Sequence, residues 1–305
     1  MWQAWLLSPA GLALLGLVIG SFLNVVIHRL PRMMQRQWWA EVAGQLQDDE
    51  SHRAVFGSPV SAEALQTGHA LETSLQALPT LNLASPRSRC PACGHSIRWS
   101  ENLPLLGWLR LRGRCAACGT RIPLRYPLVE GFTAVLFAAV GWRFGPQPAA
   151  LMWCGVAATL VALSAIDWDT TLLPDDLTQP LTWAGLVAAW AGWSGLGVDA
   201  ALLGAAVGYL SLWVVYWLFK LATGKEGMGH GDFKLLAALG AWLGWQAILP
   251  IVLMASVLGA CVGLGIKAWG QLREGRYVPF GPFLAGGGVV LMLAGTDRVL
   301  AWMGW

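Results

Sequence analysis

Long apolar stretches alternate with short polar segments along most of the chain. The first stretch, Trp5–Ile27, is long enough to cross a bilayer. It has no basic segment before it and no small-residue cleavage site after it, so we interpret it as a retained helix rather than a signal peptide. From residue 126 onward the pattern predicts seven further spans, at about 127–144, 149–167, 179–197, 199–221, 233–246, 248–267 and 281–302.

The segment between the first two spans has a different character. His28–Arg125 is polar, and it contains no run long enough to span a bilayer. We predict a short helix at 33–47 and a loop-rich stretch at 57–89. The fold class expected is an all-α polytopic membrane protein of about eight transmembrane helices with a small soluble domain between helices one and two. The corresponding division is 1–27, 28–125 and 126–305.

Composition supports a membrane protein. The chain of 305 residues is 56% hydrophobic and 12% charged, whereas soluble proteins carry about 25% charged residues. Its 19 tryptophans fit a membrane protein, because tryptophan favours the membrane–water interface. The net charge is only +3 and the basic residues are placed as topology signals, so we expect membrane lipid and no nucleic acid as a partner.

The basic residues of the short loops predict an orientation, because lysine and arginine concentrate in cytoplasmic loops. The opposite loops hold only Arg143, with Arg298 near the chain end. We therefore expect the soluble domain and the two aspartates discussed below to face the cytoplasm, with both chain ends outside. The basic loop residues that carry this prediction are Lys220, Lys225, Lys234, Lys267, Arg273 and Arg276.

Two CxxC pairs occur within the polar segment, with 21 residues between them: Cys90, Cys93, Cys115 and Cys118. Each pair is followed by a glycine, which permits the tight turn that points both sulfurs inward. Four thiolates at this spacing suit a closed tetrahedral zinc site with a structural role. Two disulfides or redox-active pairs are the alternatives, and a cytoplasmic location makes disulfides the less favoured.

Two aspartates stand beside apolar runs. Asp167 ends one such run, and Asp232 closes the glycine-rich segment 227–231 just before another. A carboxylate near the bilayer is costly, so its default interpretation is functional. Two neighbouring carboxylates can share a proton and activate a water molecule, so the residues suggest an aspartic peptidase. Asp169, Asp175 and Asp176 read as solvated loop charges, and Lys234 is a candidate partner for Asp232.

Several ordered motifs resemble the type IV prepilin peptidases, the GxGD-type aspartic proteases of bacterial pilus and type II secretion systems. Asp167 and Asp232, 65 residues apart, match the family's two catalytic aspartates. The resemblance covers almost the whole chain and includes the paired CxxC motifs. Its other segments are Gly20–Pro31, Arg125–Glu130, Ile166–Asp175, Gly229–Lys234 and Pro279–Phe283.

The resemblance implies an enzyme of the bacterial inner membrane. It would cut the leader of prepilins or secretion pseudopilins at the cytoplasmic face and N-methylate the new terminus with S-adenosylmethionine. Family members with the zinc domain usually have both activities. The sequence shows no GxGxxG motif and leaves the residues that bind the methyl donor unknown. Glu130 either orients the substrate amine or serves helix packing.

Other functions remain open from the residues alone. The chain could be a peptidase without methyltransferase activity or a scaffold in a secretion machine. An ion- or proton-coupled transporter would also place acids in membrane helices. However, transporter sites usually lie near the midplane, whereas both acids here are expected at one membrane face.

Overall fold

The structure, a computed structural model, describes residues 5–268 and 278–305. Within these ranges it is all-helical, with two isolated β-bridges and no strand, which confirms the predicted fold class. Arg273 and Arg276, used in the topology prediction, lie outside the described residues. The helices are α1 (Pro9–Gln45), α2 (Asp49–Phe56), α3 (Ala62–Gln76), α4 (Leu106–Arg110), α5 (Arg125–Phe144), α6 (Pro148–Thr170), α7 (Asp175–Trp190), α8 (Val198–Thr223), α9 (His230–Leu243), α10 (Ile248–Ala268), α11 (Gly281–Ala294) and α12 (Thr296–Trp302).

Five helical segments are long and apolar enough to cross a membrane, and a sixth is counted if the bent pair α11 and α12 forms one span. The two helices of that pair meet at 102°. The spans expected at 179–197 and 233–246 correspond to α7 and α9, which have only 16 and 14 residues. The chain is thus a multi-pass membrane protein, but the count of eight spans is not confirmed.

Helix α1 runs without a break for 37 residues. The sequence had indicated an end at Ile27 and a separate helix at 33–47. Pro31 lies inside the helix and cannot donate to the carbonyl of Ile27, but a single lost bond does not end a helix when the flanking residues favour helix. Good helix formers such as glutamine, arginine and alanine fill the following turns.

By internal contacts the chain divides into two compact units, residues 25–98 and residues 1–24 together with 99–305. In the first unit the stretch 57–89, expected to be loop-rich, contains helix α3. The buried Arg29 of this unit donates to the carbonyls of Asn82 and Pro86, at 2.8 and 2.6 Å, which fixes the loop after α3. The domain boundaries at 27 and 125 remain a prediction.

Helix α9 lies in the interior of the larger unit, where it contacts α7, α8 and α11. At one point of its contact with α8 the two backbones touch without intervening side chains. A Cβ added at Gly240 would lie 2.1 Å from the carbonyl oxygen of Gly204, and one added at Gly204 would lie 2.2 Å from that of Gly240. Small residues allow such close backbone approach between membrane helices.

Candidate active site

Asp167 lies in the last turn of α6 and is 4% exposed. Its Oδ2 accepts a hydrogen bond from the backbone N–H of Gly281 at 3.0 Å. The helix ends just beyond it, where Thr171 takes a left-handed conformation with φ of 54° and its N–H donates to the Asp167 carbonyl at 2.8 Å. The carboxylate is therefore held at the point where the chain leaves the helix.

Asp232 lies in the first turn of α9 and is also buried. The helix begins after Gly229, whose carbonyl accepts from the Asp232 N–H at 3.2 Å. An acidic side chain is favourable here because the N-terminal end of a helix carries partial positive charge. The glycine-rich segment 227–231 thus leads directly into the helix turn that carries Asp232.

The segments that carry the two aspartates come together in the structure. Leu173, in the turn after α6, connects the segments that carry them. A Cβ added at Gly231 would lie 2.8 Å from Leu173 Cβ, and one added at Gly281 would lie 3.2 Å from Leu173 Cδ1. Three helix ends, those of α6, α9 and α11, therefore meet at one place.

Gly281 is the site residue whose contact the sequence did not reveal. A Cβ at this position would lie 2.5 Å from Oδ2 of Asp167, a distance that side-chain carbon atoms do not tolerate. The resemblance included Pro279–Phe283 as a motif but gave it no role. The sequence does contain a signal for a helix start here: a glycine stands directly before Pro282 at the start of an apolar run. Proline favours the first turn of a helix.

The neighbouring charges pair with one another rather than with the buried acids. Lys234 binds both oxygens of Asp175 at 2.7 Å, so the expectation that it partners Asp232 was wrong. Residues two apart on a helix do not face the same side, which separates Lys234 from Asp232. Asp169 forms an ion pair with Arg125, so neither Asp169 nor Asp175 is a simple solvated charge.

Glu130, in α5, is buried and accepts a hydrogen bond from the backbone N–H of Leu105 at 2.8 Å. Leu105 has an unusual φ of 56°, so this contact holds a strained residue just before α4. On its other side the helix backbone of Glu130 contacts Gly20, where an added Cβ would lie 2.7 Å from the Glu130 Cα. These contacts give Glu130 a structural task.

The two CxxC segments form matching turns. In the first, the N–H of Cys90 donates to the His95 carbonyl and Gly94 donates to the Cys90 carbonyl, both at 2.9 Å. The second repeats this pattern with Cys115, Thr120 and Gly119, at 2.8 and 3.0 Å. Both glycines have φ of 72°, a conformation that favours glycine. Each segment is therefore shaped as a zinc knuckle.

The four cysteine sulfur atoms all lie within 4.8 Å of one another, and none is in a disulfide. A tetrahedral zinc ion with Zn–S bonds of about 2.3 Å requires sulfur atoms roughly 3.8 Å apart. The cluster of Cys90, Cys93, Cys115 and Cys118 therefore fits a metal ion of this type.

Fold and site together define a polytopic membrane protein with a pair of buried acids at converging helix ends. Two family models match the chain: the bacterial peptidase A24 N-terminal domain over residues 14–144 and the type IV leader peptidase family over residues 154–264. No solved structure matches the chain.

Curated relatives match nearly the full length. Prepilin leader peptidase/N-methyltransferase of Burkholderia pseudomallei is 48% identical over 299 residues, covering 96% of this chain and 89% of the relative. The proteins of the same description from Aeromonas hydrophila and Pseudomonas putida are 47% and 46% identical, covering 95% and 97% of this chain and 91% and 96% of their own. The chain therefore belongs to the type IV leader peptidase family, as the sequence motifs had indicated.

Proposed function

We propose that this protein is a bifunctional membrane enzyme that cleaves the leader peptide of type IV prepilins and N-methylates the new N-terminus. The observation that carries the proposal is the burial of Asp167 and Asp232 at helix ends that converge on Leu173, in a chain of the type IV leader peptidase family. The relatives that match nearly the whole chain are named for these two activities.

In the proposed reaction Asp167 and Asp232 act as a pair that shares one proton. Two adjacent carboxylates do not both ionise readily, so one stays ionised and the other protonated. The ionised carboxylate takes a proton from water as the water oxygen attacks the scissile carbonyl. The protonated carboxyl then gives its proton to the leaving amine. Gly281 contributes by fixing the orientation of the Asp167 carboxylate through its N–H.

Within the glycine-rich segment 227–231, Gly229 leaves room for a substrate to approach. A Cβ added at Gly229 would meet only Oδ2 of Asp232, at 4.0 Å, so the backbone there faces open space beside the acid. We propose that an extended leader segment lies against this backbone. The absence of a side chain allows the scissile bond to come within hydrogen-bonding reach of the Asp232 carboxyl.

Further parts of the proposal rest on the sequence and on the family. S-adenosylmethionine is the proposed methyl donor. Secretion pseudopilins are proposed as substrates beside prepilins, with zinc as a structural ion held by the four cysteines. The basic loops support an inner-membrane location with the aspartates facing the cytoplasm.

The test is an assay of purified enzyme on a prepilin with and without S-adenosylmethionine, read by mass spectrometry. Asp167→Asn and Asp232→Asn, made separately, keep side-chain size and remove the acid. We expect each variant to reduce cleavage at least about 100-fold. A cooperative thermal unfolding transition close to that of the wild type will show that the variant is folded. Asp176→Asn, an exposed acid of the same region, is the matched control. Normal processing by either site variant would exclude the two-aspartate mechanism.

A further inference from the structure

Two arginine side chains line a cavity at the opposite end of the bundle from the aspartates. Arg143 lies in the last turn of α5, and Arg298 lies in α12. Among the described residues neither forms an ion pair, although the Arg143 guanidinium lies over the Phe144 ring at 5.4 Å. The cavity has a volume of about 650 Å³. Both positive charges are therefore available to an anion.

The rest of the cavity lining is apolar. Four alanines from α1 and α5 form its wall: Ala10, Ala13, Ala138 and Ala139. Arg298 also lines a neighbouring cavity of about 530 Å³ that extends to Trp302. A small soluble anion would gain nothing from this alanine wall, whereas a molecule with both a charged group and hydrocarbon chains would fill both parts.

The cavity lies at the depth where a bilayer meets water. Helix α11 begins with Gly281 beside Asp167 and ends at Ala294, next to cavity residue Leu293. Its 14 residues rise about 21 Å, which separates the cavity from the catalytic pair. Trp142 and Trp302 are 86% and 92% exposed beside the two cavities, and tryptophan at helix ends is typical of the membrane–water interface.

We propose that this cavity binds an anionic phospholipid. The phosphodiester lies between the guanidinium groups of Arg143 and Arg298, and the acyl chains run along the alanine wall. Arginine suits this role because its planar guanidinium binds phosphate oxygens with two parallel hydrogen bonds. Basic pockets between membrane helices bind anionic lipid headgroups at the cytoplasmic or matrix face, and this cavity offers the same chemistry at the other end of the bundle. Such a lipid would join α5 and α12 through their two arginines.

The test uses the full-length protein in a neutral detergent, titrated with phosphatidylglycerol and read by native mass spectrometry and thermal unfolding. We expect one bound phosphatidylglycerol per chain and a raised midpoint of unfolding. Arg143→Gln combined with Arg298→Gln should weaken binding by about fivefold for each lost charge, or roughly 25-fold together. The corresponding double lysine variant should retain most of the binding, because the charge remains.

Three controls keep the proposal falsifiable. Arg110→Gln together with Arg112→Gln removes two exposed charges far from the cavity and should leave binding unchanged. Phosphatidylcholine tests the need for net negative charge, and glycerol 3-phosphate tests the need for acyl chains. Equal binding of either one, or full binding by the double glutamine variant, would overturn the proposal. Prepilin cleavage by the cavity variants, measured in the same detergent, shows that they are folded and keeps this test separate from that of the active site.

Discussion

The backbone N–H of Gly281 donates to Oδ2 of Asp167, and that same oxygen occupies the place where a side chain at residue 281 would begin. We therefore predict that Gly281→Ala reduces prepilin cleavage by at least about 100-fold, because its Cβ would displace a carboxylate that must be positioned to within about 1 Å. The assay is single-turnover cleavage in detergent. Gly286→Ala is the control, since it lies on the same helix with nothing within 4 Å of an added Cβ. Equal loss in both variants would show a general effect on α11.

A side chain introduced at the α8–α9 contact should reduce the stability of the protein rather than its catalytic activity. In Gly204→Ala the added Cβ would lie 2.2 Å from the Gly240 carbonyl oxygen, so the two helices must move apart. We expect the free energy of unfolding to fall by about 1–3 kcal/mol. Gly155→Ala, with no atom within 4 Å of the new Cβ, should leave the thermal midpoint unchanged or raise it slightly. Equal midpoints for the two variants would contradict the close contact.

Two variants of Glu130 distinguish between its two possible roles, orienting the substrate amine and supporting helix packing. Glu130→Gln keeps an oxygen to accept from the Leu105 N–H, whereas Glu130→Ala leaves that N–H without its acceptor, at a cost of about 1–3 kcal/mol. We expect the Gln variant to keep both cleavage and methylation and the Ala variant to lose thermal stability. Loss of methylation alone in the Gln variant would show that the negative charge acts on the substrate amine.

The cysteine cluster predicts one zinc ion per chain. Metal content is measured by elemental mass spectrometry on protein purified without added metal. Changing Cys90 and Cys118 to Ser together should remove the zinc, because two thiolates do not complete a tetrahedral structural site. Cys261→Ser, at a cysteine outside the cluster, should retain it. A double variant with full zinc content would refute a four-cysteine site.

The loop before α9 predicts a defined response to pH. Lys220 donates to Glu226 Oε1 at 2.9 Å and to the Tyr216 hydroxyl at 3.2 Å. The hydrogen bond from Lys220 lowers the pKa of Glu226 below its usual value of 4.5. A lowered pKa stabilises the folded loop above the unfolded value, and this stabilisation is lost as pH falls through the folded value. Between pH 5 and pH 8 the contact should therefore persist.

Hydrogen exchange of the amides at 224–229, corrected for intrinsic rates, measures this contact. The wild-type loop should keep its protection down to about pH 5 and lose it below the pKa of Glu226. Glu226→Gln should lose part of the protection at every pH. Because the pair is exposed, high salt should weaken it in the wild type only. A wild-type loop that loosens between pH 7 and pH 5 would contradict the assignment.

The sequence located most of the membrane helices but not all of their ends. Helices α5 and α6 match the predicted spans 127–144 and 149–167 to within a few residues. The span expected at 179–197 ends at Trp190, because Gly192 and Gly195 take positive φ values of 71° and 75°. Residues 191–197 carry no charge, so hydrophobicity alone could not locate the end.

The sequence predicted the acids of the site but not the contacts that hold them. An acid beside an apolar run pointed to Asp167 and to Asp232, because the free-energy cost of a charge near the bilayer can be inferred for each residue from its own neighbours in the sequence. The Gly281 hydrogen bond joins residues 114 positions apart, and no spacing rule reaches that far. The Lys234–Asp175 pair was missed because proximity along the chain was taken for proximity in space, although a helix turns neighbouring side chains in different directions.

The order of the three helix ends along the chain has a consequence for biosynthesis. The segments that carry Asp167, Asp232 and Gly281 leave the ribosome in that order, and the last follows the first by 114 residues. At about 5–20 residues per second, this interval is on the order of ten seconds. During that time Asp167, joined later by Asp232, lacks the backbone donor that orients its carboxylate. Proteolytic competence should therefore arise only after the segment that carries Gly281 has been inserted.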